Sequence, residues 1–184
     1  VYTATSAVEQ EIDWGEDIWV LWSDLGDAKE KAEDMLAHLQ QRLEPEAILI
    51  TFSDPKKNWR KEIFPPYKEN RKGRRKPIAY RPLREYLESE YPTVSYPSLE
   101  ADDVMGIFAG PDRILVSDDK DLKTIPGFLY SPRKDSFQHI TEEEADRNHL
   151  KQCLTGDRTD NFPGCPGIGP VRAEKILKNG EWSE

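Results

Sequence analysis

Residues 99–121 of the chain read LEADDVMGIFAGPDRILVSDDKD. The segment Leu99 to Ala109 is typical of a helix, and the apolar run Arg113 to Ser117 is typical of a buried strand. Acidic residues stand where each of these elements begins or ends. They are Glu100, Asp102 and Asp103 at the start of the helix, and Asp119 and Asp121 after the strand. The stretch therefore predicts a strand and a helix that present carboxylates together.

Strands and helices alternate in the preceding part of the chain. Residues 27–43 carry apolar side chains at helical spacing and precede the apolar run 47–52, which ends abruptly at Ser53-Asp54. Residues 77–90 predict another helix, and residues 93–96 predict a short strand. This alternation favours an α/β fold in which helices flank both faces of a parallel sheet. Ligands gather at the carboxyl ends of the strands in such sheets, which is where Asp54 stands.

A pair of helices is predicted near the end of the sequence. The segment Thr141 to Glu144 has the spacing of a capping box, so a helix is expected from about Glu142 to Leu154, with Gly156 as its stop. Residues 171–177 predict a second helix, which Asn179-Gly180 closes. The two form a hairpin of helices around a tight turn.

The glycine-rich turn between these helices predicts a seat for phosphate. Backbone N–H groups and a helix N-terminus would point outward there, and they bind phosphate without reading the base sequence. A plain helix cap or turn is the commoner explanation of a single GxG, but this one follows directly on an acidic pair. The residues predicted to contact phosphate are Gly167, Gly169, Arg172 and Lys175.

Four acidic clusters in a fixed order predict a metal site. Two unit charges about 4 Å apart at an effective dielectric constant near 20 repel by about 4 kcal/mol, so several carboxylates converge only around cations. A pair of Mg²⁺ or Mn²⁺ ions suits such an all-oxygen site. Taken singly, each cluster would more often be a cap, a turn or a solvated edge. The predicted ligands are Asp54, Glu100, Asp102, Asp103, Asp119, Asp121, Asp157 and Asp160.

The spacing of these acids predicts which of them face each other. Asp119 and Asp121 are two residues apart at a strand end, so they point to one side of an extended chain. Lys120 is then expected to face away, and Asp118 is expected to take no part. Asp157 and Asp160 would share a face if their turn is helical.

The chain of 184 residues has a formal net charge of −9, which by itself argues against a nucleic-acid partner. Its basic residues are segregated, however, because ten of them lie between Lys56 and Lys76 against only two acidic residues. Aromatic residues interleave these charges, as in a surface that grips a nucleic-acid strand. A solvated charged loop is the alternative explanation. The residues predicted to contact DNA are Arg60, Tyr67, Lys72, Arg74 and Arg75.

Other classes of protein are disfavoured by composition. Two cysteines, Cys153 and Cys165, cannot build a disulfide framework, and three scattered histidines have no zinc-site spacing. No run approaches the roughly twenty apolar residues of a membrane span, and no signal peptide is visible. We therefore expect an intracellular protein with no membrane partner.

Three segments together resemble the signature of the 5′-nuclease superfamily, which includes polymerase I 5′-nuclease domains, flap endonucleases and phage 5′→3′ exonucleases. They are EADDVMGIFA, SDDKDLKTI and LTGDRTDNFPGCPGIGPVRAEKIL. The segments ILITFSD and NWRKEIFPPYKENRKGRRKP resemble the second strand and the basic arch of that superfamily. In detail the chain is most similar to the exonucleases of short-tailed phages.

The resemblance implies a role for each matching residue. Glu100, Asp102 and Asp103 match acids around a first metal ion, and Asp54 matches an acid that acts largely through water. Asp119, Asp121, Asp157 and Asp160 match acids around a second ion. Lys68 and Arg71 match arch residues that reach the scissile phosphate. Residues 164–175 match a helix-three-turn-helix that grips duplex DNA and often seats a potassium ion through main-chain oxygens.

The implied activity is two-metal hydrolysis of DNA that carries a 5′ end, as duplex or flap, by a monomer in the bacterial cytoplasm. The resemblance divides the chain into a nuclease core, residues 1–155 with the arch at 56–77, and the start of the helix-three-turn-helix, residues 156–184. Superfamily members begin with a strand that ends in a metal-binding Asp and continue well past position 184, so we expect further chain at both ends.

Two other functions stay open at this point. One is a catalytically inactive, structure-specific DNA-binding protein of the same fold. The other is a nuclease of the related small RNA-cleaving group, which shares the acidic sheet edge. The glycine-rich turn argues against the second, because it is suited to holding a duplex.

Overall fold

The computed structural model describes residues 1–179, which form two compact units. The first unit comprises Val1–Ile50 and Gly73–Val94, and the second comprises Thr51–Lys72 and the chain from Ser95 onward. Helices and small sheets make up both units, so the prediction of an α/β fold is confirmed. The predicted division at residues 155 and 156 falls inside the second unit and stays a prediction.

Seven α-helices and seven strands lie among the described residues. The helices are α1 (Tyr2–Val8), α2 (Leu25–Leu43), α3 (Trp59–Ile63), α4 (Tyr80–Glu90), α5 (Ala101–Phe108), α6 (Glu142–Thr155) and α7 (Pro170–Asn179). The strands are β1 (Gln10–Asp13), β2 (Trp19–Trp22), β3 (Ile50–Thr51), β4 (Thr93–Val94), β5 (Ile114–Val116), β6 (Gly127–Ser131) and β7 (Ser136–Ile140). Short 3₁₀ turns cover Glu69–Arg71, Lys120–Thr124 and Pro132–Lys134. Within this part of the chain, no helix has both the length and the apolar character that crossing a membrane requires.

Small side chains let the helices of the first unit pack closely. Ala28 and Ala32 are buried on α2, which contacts both α1 and α4. Ala4 of α1 and Leu83 of α4 are buried as well. Strands β1 and β2 form an antiparallel hairpin, and β3 pairs with β4. The first unit therefore combines packed helices with small two-stranded sheets.

The second unit is built around a mixed sheet of three strands in the order β5-β6-β7. Strands β5 and β6 are parallel, whereas β6 and β7 are antiparallel. Within this sheet the predicted parallel arrangement is therefore found in the pair β5–β6 and not in the pair β6–β7. A short turn joins β6 to β7, and so tight a connection can only reverse the chain. The core below the sheet consists of Leu115, Leu122, Leu129, Ile140 and Ala145.

The predicted start of α6 is confirmed by its capping box. Thr141 Oγ1 accepts a hydrogen bond from the Glu144 backbone N–H at 3.1 Å, and Glu144 Oε2 accepts one from the Thr141 backbone N–H at 2.9 Å. Gly156 ends the helix with a φ of 71°. The predicted helix after the glycine-rich turn is α7, whereas its predicted stop at Gly180 lies outside the described residues.

The turn between α6 and α7 brings the backbones of Gly156 and Gly164 into contact. A Cβ on Gly164 would lie 2.3 Å from the Gly156 nitrogen, whereas a Cβ on Gly167 would meet nothing within 4 Å. Both residues have positive φ, at 66° for Gly164 and 74° for Gly167. We expect Gly167→Ala to cost about 1 kcal/mol of stability, from the left-handed backbone alone, and Gly164→Ala to cost more than about 3 kcal/mol.

Urea unfolding of the two alanine variants beside the parent tests this expectation. The backbone strain is nearly equal at Gly164 and Gly167. The difference in unfolding free energy between the two variants therefore measures the cost of the clash between a Cβ on Gly164 and the Gly156 backbone. Equal losses would show that the contact between Gly156 and Gly164 relaxes without cost.

Candidate functional site

The start of helix α5 and the turn after strand β5 bring acidic side chains together in the second unit. Glu100 is the residue before α5, and Asp102 and Asp103 lie in its first turn. Asp119 Oδ1 accepts a hydrogen bond from the backbone N–H of Asp121 at 3.0 Å. The negative charge of Asp119 contributes to the raised pKa of Asp102, so the two carboxylates are electrostatic neighbours. The sequence segments on either side of β5 therefore do meet.

Asp119 and Asp121 are close for a different reason from the predicted one. The chain after β5 is not extended, because Asp119 caps the 3₁₀ turn that contains Asp121. The prediction that Lys120 faces away is therefore wrong, since Lys120 Nζ lies 2.7 Å from Asp157. Asp118 is turned elsewhere, as expected, and accepts hydrogen bonds from Ser131 Oγ at 2.6 Å and from the Arg133 backbone N–H at 3.0 Å.

Two carboxylates at the centre of the cluster carry unfavourable negative charge. Burial raises the pKa of Asp102 to about 6, and the charges of Asp119 and Glu100 add to this effect. Burial also raises the pKa of Asp121, again with a contribution from Asp119. Among residues 1–179, no ion pair joins Asp102 or Asp121 to a Lys or Arg. The centre of the cluster is thus short of positive charge.

Basic side chains bind Glu100, Asp103 and Asp160. Lys68 Nζ lies 2.5 Å from Glu100 Oε1 and 3.6 Å from Asp160 Oδ2. Arg60 donates from both terminal nitrogens to Asp103, each at 2.7 Å. Burial by itself would raise the pKa of Glu100 and of Asp103, but the hydrogen bonds from their partners hold both below the ordinary range. These acids are therefore ionised and already paired.

Lys68 reaches this position through an unusual backbone conformation. Its φ is 55°, in the left-handed region, which costs a non-glycine residue about 1–2 kcal/mol. The backbone N–H of Lys68 donates to the Asp160 carbonyl at 2.9 Å, and Arg71 donates to the Asp160 carboxylate at 2.7 Å. Asn161 Nδ2 also donates to the Pro66 carbonyl at 2.8 Å. The predicted catalytic pair, Lys68 and Arg71, is therefore held directly against the acidic turn 157–162.

Tyr67 occupies a position that the sequence interpretation did not anticipate. Only 8% of the residue is exposed, which leaves little of its ring open to a stacked base, and its contact with DNA stays a prediction. Its hydroxyl instead lies 2.6 Å from Glu100 Oε2 and 2.9 Å from Asp160 Oδ2. Burial and these two carboxylates raise the pKa of Tyr67 far above its ordinary value. Tyr67 thus links the two acidic clusters as a neutral donor.

Asp54 anchors the loop that precedes α5. Its carboxylate accepts hydrogen bonds from the backbone N–H groups of Ser98 at 2.7 Å and Lys56 at 2.8 Å. These bonds lower the pKa of Asp54. Its backbone N–H donates to the Leu99 carbonyl at 2.8 Å, which ties the end of β3 to the start of the acidic segment. A role for Asp54 in holding metal stays a prediction.

The remaining basic residues of the predicted DNA surface differ in their surroundings. Arg75 belongs to the first unit and forms a two-pronged ion pair with Glu9, at 2.6 and 2.8 Å. A contact of Arg75 with DNA stays a prediction, and it would have to form from a guanidinium that already binds Glu9. Lys72 is different, because its side chain is 82% exposed and lies only loosely beside Glu69, at 3.7 Å. Arg74 is exposed.

The glycine-rich turn leaves backbone open at the start of α7. Gly167 and Gly169 have nothing within 4 Å of their Cβ positions, and the Gly169 carbonyl accepts from the Ala173 backbone N–H at 2.9 Å. Arg172 and Lys175 are exposed on α7. This surface is open to a phosphate, whereas the details of a helix-three-turn-helix and its potassium ion stay predictions.

The donor chemistry of the cluster fits a hard divalent cation. Carboxylate oxygens are the ligands that Mg²⁺ and Mn²⁺ prefer, and Asp102 and Asp121 would lose their mutual repulsion if such an ion lay between them. Within residues 1–179, no three His, Cys, Asp or Glu side chains already stand as one ligand set. Lys68 binds Glu100 and Arg60 binds Asp103, so both side chains would have to move away from these carboxylates if a metal ion bound there.

The raised pKa of Asp102 predicts a stability effect with a definite sign. An acid whose folded-state pKa exceeds its unfolded value opposes folding increasingly as the pH rises from about 4 through about 6. Asp102→Asn should therefore stabilise the metal-free protein at pH 7, by on the order of 2 kcal/mol, and leave it unchanged below pH 4. Urea unfolding in EDTA at the two pH values measures this.

Asp103→Asn provides a control of opposite sign. Its hydrogen bonds with Arg60 hold the pKa of Asp103 below the ordinary range, so its contribution is present at neutral pH and is lost as the pH falls. Asp103→Asn should therefore destabilise the protein at pH 7. Destabilisation by both substitutions would show that the negative charge of Asp102 is no less favourable in the folded protein than that of Asp103.

Two relatives, one solved structure and one family description are similar to this chain. The exodeoxyribonuclease of Enterobacteria phage T3 is 37% identical over 194 residues, covering 97% of this chain and 63% of that protein. A flap endonuclease Xni from a Shewanella species is 29% identical, over 85% of this chain and 66% of that protein. The chain thus spans less than two thirds of the length of either relative.

The fold is shared with a bacteriophage T5 flap endonuclease, solved as a pseudo-enzyme-product complex with DNA and metal ions. The TM-score is 0.64 at 18% identity, over 84% of this chain and 66% of that one. Residues 27–149 match the family described as 5′-3′ exonuclease, N-terminal resolvase-like domain. Since this match covers more than half of the sequence and contains the acids on both sides of β5, the chain belongs to the 5′-3′ exonuclease family.

Proposed function

We propose that this protein is a divalent-metal-dependent 5′→3′ exonuclease and flap endonuclease that hydrolyses DNA by a two-metal mechanism. The observation that carries this proposal is the half-buried pair Asp102 and Asp121. The charges of Lys68 and Lys120 offset their negative charge only in part, and neither acid forms an ion pair among residues 1–179. Family membership and the names of the two relatives support it. The T5 enzyme was solved with DNA and metal ions, which supports both the substrate class and the cofactor.

The proposed ligands form two groups around the turn after β5. Glu100, Asp102 and Asp103 would hold a first ion from the start of α5, and Asp54 would act on it through water. Bound ions would activate the attacking water and stabilise the charge of the displacement, as Mg²⁺ or Mn²⁺ does in such sites. The second group consists of Asp119, Asp121, Asp157 and Asp160.

Lys68 and Arg71 have a separate proposed role at the reacting phosphate. Both are held beside Asp160, at 3.6 and 2.7 Å. If Mg²⁺ or Mn²⁺ occupied the carboxylates, Lys68 and Arg71 would be available to the phosphate oxygens. There they would stabilise the charge that develops during cleavage. Tyr67 remains in place to orient Glu100 and Asp160 through its hydroxyl.

Duplex DNA is the proposed partner of the glycine-rich turn and α7. Open backbone at Gly167 and Gly169, with Arg172 and Lys175 alongside, suits the phosphates of a duplex. Lys72 and Arg74 would add charge from the basic segment. Arg60 would reach DNA only after releasing Asp103. We further propose that the protein acts as a monomer in a bacterial host cell.

Cleavage of 5′-labelled duplex, 5′-flap and single-stranded RNA, with Mg²⁺, with Mn²⁺ and with EDTA, tests the proposal. We expect short 5′ products from duplex and flap DNA only when metal is present. Asp102→Asn protein, purified in parallel, controls for contaminating nucleases. Binding without cleavage would favour the inactive DNA-binding alternative, and preferential RNA cleavage would favour the RNA-cleaving group.

A further inference from the structure

Helix α6 sends two side-chain amides to the turn that carries Asp121. Gln152 Nε2 donates to Asp121 Oδ1 at 2.8 Å, and Asn148 Nδ2 donates to the Lys123 carbonyl at 3.1 Å. The two residues are four apart, so they lie on one face of the helix. One amide therefore binds backbone, whereas the other binds the carboxylate of a proposed metal ligand.

Gln152 is suited to a neutral, fixed contact with that carboxylate. It is half-buried, and the 3₁₀ turn packs directly against α6. An ionised carboxylate only accepts hydrogen bonds, so the amide nitrogen must face Asp121. A Lys or Arg here would neutralise Asp121 and compete with a metal ion. A Gln holds one carboxylate oxygen of Asp121 in place without neutralising the carboxylate. The negative charge and the second oxygen of Asp121 then remain available to a cation.

We propose that Gln152 is a positioning residue that orients Asp121 for metal binding, an inference that rests on the proposed function. Partners of this kind lock the rotamer of a ligand before the ion arrives, and their loss typically weakens metal affinity by about 10- to 100-fold. Gln152 touches neither the ion nor the DNA. Its effect is therefore on affinity for metal, and excess metal overcomes its loss.

Isothermal titration of the whole protein with Mn²⁺ alone tests this role. Gln152→Met keeps the length of the side chain and removes the donor, so we expect about tenfold weaker Mn²⁺ binding. Gln152→Asn, one methylene shorter, should change affinity in the same direction if the methionine variant does not fold. Asn148→Ala is the matched control, because it removes an amide from the same helix face without touching a carboxylate, and it should bind Mn²⁺ within about twofold of the parent.

A second measurement separates positioning from general packing. In the Gln152 variants the Mn²⁺ concentration that gives half-maximal cleavage should rise by the same factor as the dissociation constant, while the rate at saturating Mn²⁺ returns to that of the parent. Unchanged Mn²⁺ affinity in both Gln152 variants, or an equal loss in Asn148→Ala, would overturn the proposal. A parent protein that does not bind Mn²⁺ would instead refute the metal site itself, and the role of Gln152 with it.

Discussion

Replacing Asp121 or Asp102 with asparagine should lower the rate of DNA cleavage by about a thousandfold, while duplex binding stays close to that of the parent. Losing a ligand removes several kcal/mol of electrostatic stabilisation of the transition state, and about 4 kcal/mol corresponds to a thousandfold in rate. Binding should be spared because, in the proposed mechanism, these acids would hold ions and not DNA. Removing a carboxylate even lessens the repulsion of the phosphates.

Single-turnover cleavage and a gel-shift titration with the same labelled duplex measure the two effects separately. Asp118→Asn is the control, because Asp118 lies beside Asp119 yet, among residues 1–179, its hydrogen bonds are to Ser131 and the Arg133 backbone. An asparagine retains the oxygen that accepts both bonds, so this variant should cleave at the rate of the parent. Retention of more than about a tenth of the parent rate in either Asp102→Asn or Asp121→Asn would remove the basis for the two-metal assignment.

Lys68→Ala should lower single-turnover cleavage by about a hundredfold and weaken duplex binding only slightly. A positive group aimed at the charge that develops on the reacting phosphate is worth roughly 10²- to 10³-fold in rate, whereas one phosphate contact is a small part of duplex affinity. The strained backbone at Lys68 and its short contact with Glu100 show how tightly this side chain is held near the acids.

Lys72→Ala provides the matched control for Lys68→Ala. Its ammonium lies in the same basic segment but is largely solvated, so its loss should reduce only the salt dependence of binding, by roughly one unit of slope. If the two variants behave alike, Lys68 is a tether for DNA and has no part in catalysis. Metal affinity should be measured in parallel, since Lys68 binds Glu100, which is a proposed metal ligand.

Predictions from the sequence succeeded where the cause is local. The capping box of α6 involves residues three apart, and the stop at Gly156 depends on one positive φ. Both follow from near-neighbour geometry that any chain with this sequence would share. The strand expected over the apolar run 47–52 is much shorter in the structure, because strand length depends on a partner that is distant in sequence. Only Ile50 and Thr51 form strand β3, and its partner β4 is also two residues long.

The partners of the site residues lay beyond sequence reasoning. Tyr67 meets Glu100 and Asp160 across 33 and 93 positions of sequence, and Gln152 meets Asp121 across 31. An aromatic residue in a basic segment is typical of a surface on which bases stack, and it does not indicate that its hydroxyl will bind two distant carboxylates. Gln152 had one weak signal, since it lies four residues from Asn148 on a single face of α6, but nothing in that spacing indicates what the face covers.

The sequence by itself determined most of the α-helices and strands β3 to β5 in their order, the acidic clusters and the resemblance that assigned a role to each acid. These properties depend on side-chain periodicity and composition, which are written along the chain. Only the tertiary structure decided which acids are destabilised by burial and neighbouring negative charge, and which are paired with basic side chains. That distinction depends on burial and on distances of a few ångströms between residues remote in sequence, because the energy of a carboxylate is set by the charges and solvent around it.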